Sequence, residues 1–203
     1  MRRRRVGTQD YCVVDDLAGL LALLNAGTIE LHPLLSRGER ADIPTAVVFD
    51  LDPGPPAGLA ECARVAAALA ERLRSEGLVP AAKTSGSLGL HVHAAVSPAS
   101  FAETKELARS LARELAGARP DLVVARQERA ARVGKVLVDW GQNAPTRSLP
   151  APYSLRAREA PSVSTPVTWD ELESDPAGLA FGPRDVLERV SRLGDVFAPL
   201  ASS

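Results

Sequence analysis

Cysteine is scarce: the 203 residues hold two, Cys12 and Cys62. They have neither metal-ligand spacing nor the density of a disulfide framework, which suits a reducing cytoplasm. An excess of charge of one sign is missing too. With 24 basic against 25 acidic residues, the chain is no polycation, so any contact with nucleic acid must come from local patches. No apolar run approaches a membrane span, the start lacks a signal-type apolar region, and no internal repeat is visible. These absences point to a soluble, intracellular chain. Its length suits one large domain or two small ones, enough to bury a real core.

What the chain does have is Val47-Val48-Phe49-Asp50-Leu51-Asp52-Pro53, an apolar run that delivers two carboxylates at alternate positions and stops at a proline. In an extended strand Asp50 and Asp52 share one face, while Phe49 and Leu51 point the other way into a core. Two adjacent carboxylates repel unless a cation sits between them, and all-oxygen ligands favour Mg²⁺ or Mn²⁺ over zinc. The plain alternative is a strand end with two solvated acids.

Around this strand the chain alternates elements. The run Met1-Arg2-Arg3-Arg4-Arg5 reads as a solvated basic tail over residues 1–7, with phosphate clamping as the other possibility. Asp15 and Asp16 cap a helix with Leu17, Leu20, Leu21 and Leu24 on one side. Leu59, Cys62, Ala66, Leu69 and Leu73 mark an amphipathic helix after the anchor strand. The glycine-rich Ser85-Gly86-Ser87-Leu88-Gly89 then precedes the alternating strand Leu90–Val96, on which His91 and His93 share a face. Such a loop can bring backbone N–H groups and hydroxyls to a phosphate. The two histidines lack the third ligand that zinc wants.

Ser100 and Glu103 form a capping box for a helix running to Gly117. Strands are predicted over 121–124 and 135–139, the second ending on another carboxylate, Asp139. Between them Arg126, Arg129, Arg132 and Lys135 make a basic stretch suited to phosphates, or to a solvated hairpin. Residues 143–166 form a long irregular connection, and Thr168 with Glu171 caps a further helix before a last one around Val186–Leu193. The outline is an α+β domain, a β-sheet backed by helices. Three carboxylates around divalent ions, with a Gly/Ser loop and arginines nearby, is chemistry for phosphoryl or nucleotidyl transfer.

Several segments carry a resemblance in one order along the chain: Glu30-Leu31-His32-Pro33, Val48–Pro53, Lys83–Val92, Val138-Asp139-Trp140-Gly141-Gln142-Asn143, Ala151–Arg158 and Val163–Leu172. Residues 8–200 resemble the polymerase domain of bacterial ATP-dependent DNA ligase D, a member of the archaeo-eukaryotic primase superfamily. The resemblance implies a primase-polymerase-like core that adds nucleotides, with a preference for ribonucleotides, to DNA ends or gaps in non-homologous end joining. Asp50, Asp52 and Asp139 would hold Mn²⁺ or Mg²⁺. Ser85 and His91 would contact the phosphates of a nucleoside triphosphate, and His32, Arg132, Gln142 and Arg156 would line the nucleotide pocket. The implied partners are DNA ends or gapped duplex, the end-binding protein Ku and a DNA ligase, at the bacterial nucleoid in the cytoplasm.

Two departures qualify the transfer. Leu88 stands where the family usually has lysine, removing a cation from the triphosphate. The family's domain also usually begins upstream, so the sequence reads as N-terminally short. A catalytically weakened DNA-end-binding module of the same family is therefore an alternative. A haloacid dehalogenase-like phosphatase, with Asp50 as nucleophile and Asp52 as general acid, is a further one; it lacks the late acidic pair, since only Asp195 follows Gly194.

Overall fold

The structure, a computed structural model, describes residues 2–96 and 99–201. The basic run is not a tail: Arg2–Val6 is strand β1, paired antiparallel with β2 (Gln9–Val13). Acidic residues steady it, since Arg5 Nε lies 3.0 Å from Asp10 Oδ1 and Arg2 pairs with Asp15. The four arginines remain solvent-exposed. Helix α1 (Leu17–Asn25) starts at Asp16, whose carboxylate accepts from Gly19 N at 2.7 Å. Its leucines do not reach a core: α1 has no buried residue, and Leu17, Leu21 and Leu24 are exposed.

A short hairpin, β3 (Ser36–Arg37) with β4 (Arg40–Pro44), leads into the anchor strand β5 (Ala46–Pro53). Then come α2 (Leu59–Ser75), β6 (Pro80–Thr84), β7 (Leu90–Ala95), α3 (Phe101–Ala118), β8 (Val123–Val124) and β9 (Val136–Asp139). The irregular connection holds a two-residue pairing of β10 (Leu155–Arg156) with β11 (Ser162–Val163). The chain ends in β12 (Pro166–Val167), α4 (Trp169–Ser174), α5 (Pro183–Leu193) and α6 (Ala198–Ala201).

Six strands form the main sheet in the order β12-β6-β7-β5-β9-β8, antiparallel except for β8 against β9. The basic stretch between β8 and β9 is therefore a crossover rather than a hairpin, because parallel neighbours cannot be joined by a tight turn. Alternation along the strands then sorts the two faces. Phe49, Leu51, Leu90, Val92, Val136 and Val138 pack with Cys62, Leu69 and Leu73 of α2 and Leu111 and Leu115 of α3 in the main core. On the opposite face, a smaller cluster of Leu35, Val48, Phe101 and Leu149 covers only one end of β5. The Asn143 side chain continues the ladder there, donating to Val48 O at 2.7 Å and accepting from Val48 N at 2.9 Å. The other end of that face is left to polar residues. No helix among the described residues is long and apolar enough to cross a membrane.

Candidate nucleotide and metal site

The register sets out the site. Asp50 lies opposite His91 on β7 and opposite Asp139 on β9, and His91 lies opposite Lys83 on β6. Residues directly opposite in antiparallel strands share a face. Lys83, His91, Asp50 and Asp139 thus form one row across four strands, on the face away from α2 and α3. Asp52 follows two residues along, opposite Leu137.

Contacts within the row are direct. His91 Nε2 lies 3.3 Å from Asp50 Oδ1, and Lys83 Nζ lies 2.9 Å from His91 Nδ1 and 2.5 Å from Ser164 Oγ. Arg132 Nη2 reaches Asp52 Oδ2 at 3.4 Å, and Asp139 Oδ1 accepts from Gly141 N at 2.7 Å. Arg132 is placed there by Gly54: a Cβ at that position would fall 1.9 Å from Arg132 O, so only glycine lets the basic crossover close against the end of β5. Gly54 N donates to Lys135 O at 2.8 Å and secures that contact.

Burial dominates the electrostatics. It pushes the Asp50 carboxyl up to about 6, against the pull of Lys83, Arg132 and Arg156. Burial also raises Asp52, and the Asp50 carboxylate beside it adds to the effect while Arg132 opposes it. Desolvation brings Lys83 down to about 7, with Asp50 opposing, and holds both His91 and His93 well below the usual histidine range. Carboxylates that resist ionisation side by side are a donor set that a hard divalent cation would satisfy. The present rotamers do not assemble it. Among the described residues no three His, Cys, Asp or Glu side chains form a ready-made metal group. Asp52 is turned to Arg132, Asp139 to the Gly141 amide and Asp50 to His91. The zinc reading of the histidine pair has no support either, since His91 is engaged on both nitrogens and His93 meets the Phe197 ring edge-on at 5.3 Å.

A second group gathers beside the row. Ser85 Oγ accepts from Ser87 N at 3.1 Å and Gly89 N at 3.2 Å, so two amides of the glycine-rich loop are spent on the loop itself. Gly86 takes φ 69°, and a Cβ there would press on Arg156 Cγ at 2.5 Å. Arg156 Nη1 donates to Ser85 O at 3.2 Å, and its Nε lies 3.3 Å from Glu30 Oε2. The same Glu30 oxygen lies 2.8 Å from His32 Nε2, while Oε1 accepts from Ala157 N at 2.8 Å. These contacts, the His32 one foremost, hold the Glu30 carboxyl below its ordinary value. Gln142 is joined to the row through Asp139, three residues before it. With Asp139, Trp140, Arg113, Arg126 and Arg147 it lines a cleft of about 1100 Å³ beside β8.

Two residues escape a reading of the sequence. Lysine is ordinarily exposed, and nothing local marks Lys83 as wholly buried. Glu30 joins His32 and Arg156 across more than a hundred residues of chain; its position in the Glu30-Leu31-His32-Pro33 match was the available signal.

Comparison with known proteins bears on the whole chain. A family model described as "LigD, primase-polymerase domain" matches residues 1–197. The "Multifunctional non-homologous end joining protein LigD" of Mycobacterium bovis is 39% identical over 97% of this chain, which spans 27% of that relative's length. The "Bifunctional non-homologous end joining protein LigD" of Bacillus subtilis is 28% identical over 94% of the chain and 31% of its own. Among solved structures, "Polymerase Domain from Mycobacterium tuberculosis Ligase D in complex with DNA" superposes with a TM-score of 0.91 at 35% identity, covering all of this chain and 75% of its own. The phosphatase alternative lapses with these matches, and Asp195, its late acid, is held by the Tyr153 hydroxyl at 2.7 Å. Family model, relatives and superposition agree, and the chain belongs to the LigD primase-polymerase domain family.

Proposed function

We propose that this chain adds nucleotides, ribonucleotides by preference, to DNA ends or short gaps during non-homologous end joining, with Mn²⁺ or Mg²⁺ as cofactor. The observation that carries the reading is the row of Asp50, His91 and Asp139, with Asp52 beside it, flanked by Arg132 on one side and the Ser85, Arg156 and His32 group on the other. Asp50, Asp52 and Asp139 would hold the divalent ions after turning from their present partners. Bound there, the ions would activate an attacking 3′ oxygen and neutralise charge on the leaving pyrophosphate. The chain's own residues do the rest. His91 and Ser85 meet the triphosphate, and His32, Arg132, Gln142 and Arg156 line the nucleotide pocket, Arg132 adding positive charge beside Asp52. Ku and a DNA ligase are the proposed partners, at chromosomal breaks in the bacterial cytoplasm. The solved relative was bound to DNA, which supports a DNA substrate here.

The test is incorporation of labelled ribo- and deoxyribonucleotides into a gapped duplex with Mn²⁺, comparing the wild type with Asp52→Asn. The variant keeps shape and removes charge, and a loss of about 100-fold or more is expected. Undiminished incorporation in the variant would remove the polymerase reading. A second reading, a DNA-end-binding module without turnover, is favoured by the unassembled carboxylates and by Leu88. DNA retention with no incorporation in the wild type would select it.

A further inference from the structure

Lys83 is wholly buried in β6 and, among the described residues, forms no ion pair. Its Nζ has two neighbours, Ser164 Oγ at 2.5 Å and His91 Nδ1 at 2.9 Å. The Ser164 hydroxyl already donates to Thr84 O at 2.8 Å, so towards Lys83 its oxygen accepts. In its ammonium form, which the neighbouring Asp50 favours against desolvation, Lys83 donates and never accepts. His91 Nδ1 then accepts from that ammonium at 2.9 Å, and the ring proton sits on Nε2. That nitrogen faces Asp50 Oδ1 at 3.3 Å, an atom that wants a donor. The two ends of the ring agree on one tautomer.

We infer that Lys83 is a positioning residue: through Nδ1 it fixes His91 as the Nε2–H tautomer, so that the ring presents a hydrogen-bond donor to the polar face of the sheet. Which nitrogen of a histidine carries the proton is set by what the other one bonds. A serine or amide at position 83 could donate or accept, and would leave the choice open; an ammonium does not. The consequence for nucleotide binding rests on the nucleotide reading of His91 given above, whereas the tautomer itself belongs to the free protein.

The experiment is long-range ¹H–¹⁵N correlation on the ¹⁵N-labelled chain, without metal or nucleotide, with the His91 signals identified by their loss in His91→Asn. The wild type should show the proton on Nε2. Lys83→Met, which keeps the length of the side chain and removes the donor, should show a mixture of both tautomers, and its Kd for a nucleoside triphosphate should rise roughly tenfold, the size of one charge-assisted hydrogen bond. Lys83→Gln offers a polar second variant with the same expectation. A merely structural lysine would change thermal unfolding and leave the tautomer alone. A wild-type ring protonated on Nδ1, or an unchanged ring pattern in a folded variant, overturns the inference; the wild-type spectrum decides by itself should neither variant fold. A Lys83-dependent tautomer in a chain that binds no nucleotide would instead end the nucleotide reading and leave this one standing.

Discussion

Leu88 stands with 71% of its surface exposed in the loop between Ser85 and Gly89. An apolar side chain so placed contributes little packing, and a lysine there would keep its charge in water. Leu88→Lys should therefore leave stability within about 0.5 kcal/mol of the wild type. If the loop faces a triphosphate, the same change should raise affinity for a nucleoside triphosphate more than for a monophosphate, with a gain that shrinks as salt is added. Titrating both nucleotides at two salt concentrations checks this, and equal effects on the two would detach the loop from any phosphate site. At this scale the sequence was readable where chemistry is local. Asp50 and Asp52 declare themselves by alternation, and Ser85 by its glycine-rich surroundings. Lys83 and Glu30 do not, because their roles come from partners supplied by other elements: Ser164 for one, Arg156 and Ala157 for the other.

Among the elements, α4 and α5 are joined by a clasp. Glu171 closes the capping box of α4 with Thr168 and also pairs with both terminal nitrogens of the Arg189 guanidinium. Arg189 is buried, lies over the Phe181 ring at 5.0 Å and donates to Pro166 O at 3.3 Å, which ties the clasp to edge strand β12. The Arg189 hydrogen bonds hold the Glu171 carboxyl down at about 2. A carboxyl depressed in the folded state stabilises it fully above the ordinary value near 4.5, and that contribution fades as pH falls through about 2. Glu171→Gln should therefore cost about 2 kcal/mol at pH 7. Urea unfolding of both chains at pH 7 and pH 3 should show the gap narrowing at the lower pH; a constant gap would mean that shape rather than charge matters there.

Helix caps such as Ser100 with Glu103 and Thr168 with Glu171 were visible in the sequence because three-residue spacing encodes them. The parallel step of β8 beside β9 was not, since two-residue Val123–Val124 carries no topological signal. Nor was the strand at Arg2–Val6, where pairing with Asp10 and Asp15 overrides a composition typical of a tail.

Across the whole molecule, one sheet divides its labour by face. The face under α2 and α3 holds the main apolar core, and the other presents charged residues at one end and only a small apolar cluster at the other. That division follows from the alternation of Phe49, Asp50, Leu51 and Asp52 in β5, so a single-residue slip in its register would exchange the carboxylates with Phe49 and Leu51. The candidate site and the main core are thus written into the same eight residues. The chain covers three quarters of the solved polymerase domain it superposes on, and the sheet with both its faces lies within that shared part.

Helix α1 stands outside this arrangement. It is closed at its start by Asp16, yet no side chain of it is buried. A helix of nine residues whose most covered side chains, Leu20 and Leu23, are only half-buried has little to hold it beyond its own backbone ladder. Its amides should consequently exchange with deuterium by local opening, at rates that ignore the stability of the rest, while those of α2, with Cys62, Val65, Leu69 and Leu73 in the core, should wait for the whole domain to unfold. Exchange measured by mass spectrometry would display the two as separate populations in time. Any ligand that slowed the α1 population alone would thereby reveal that it had found the leucines which the rest of this chain leaves uncovered.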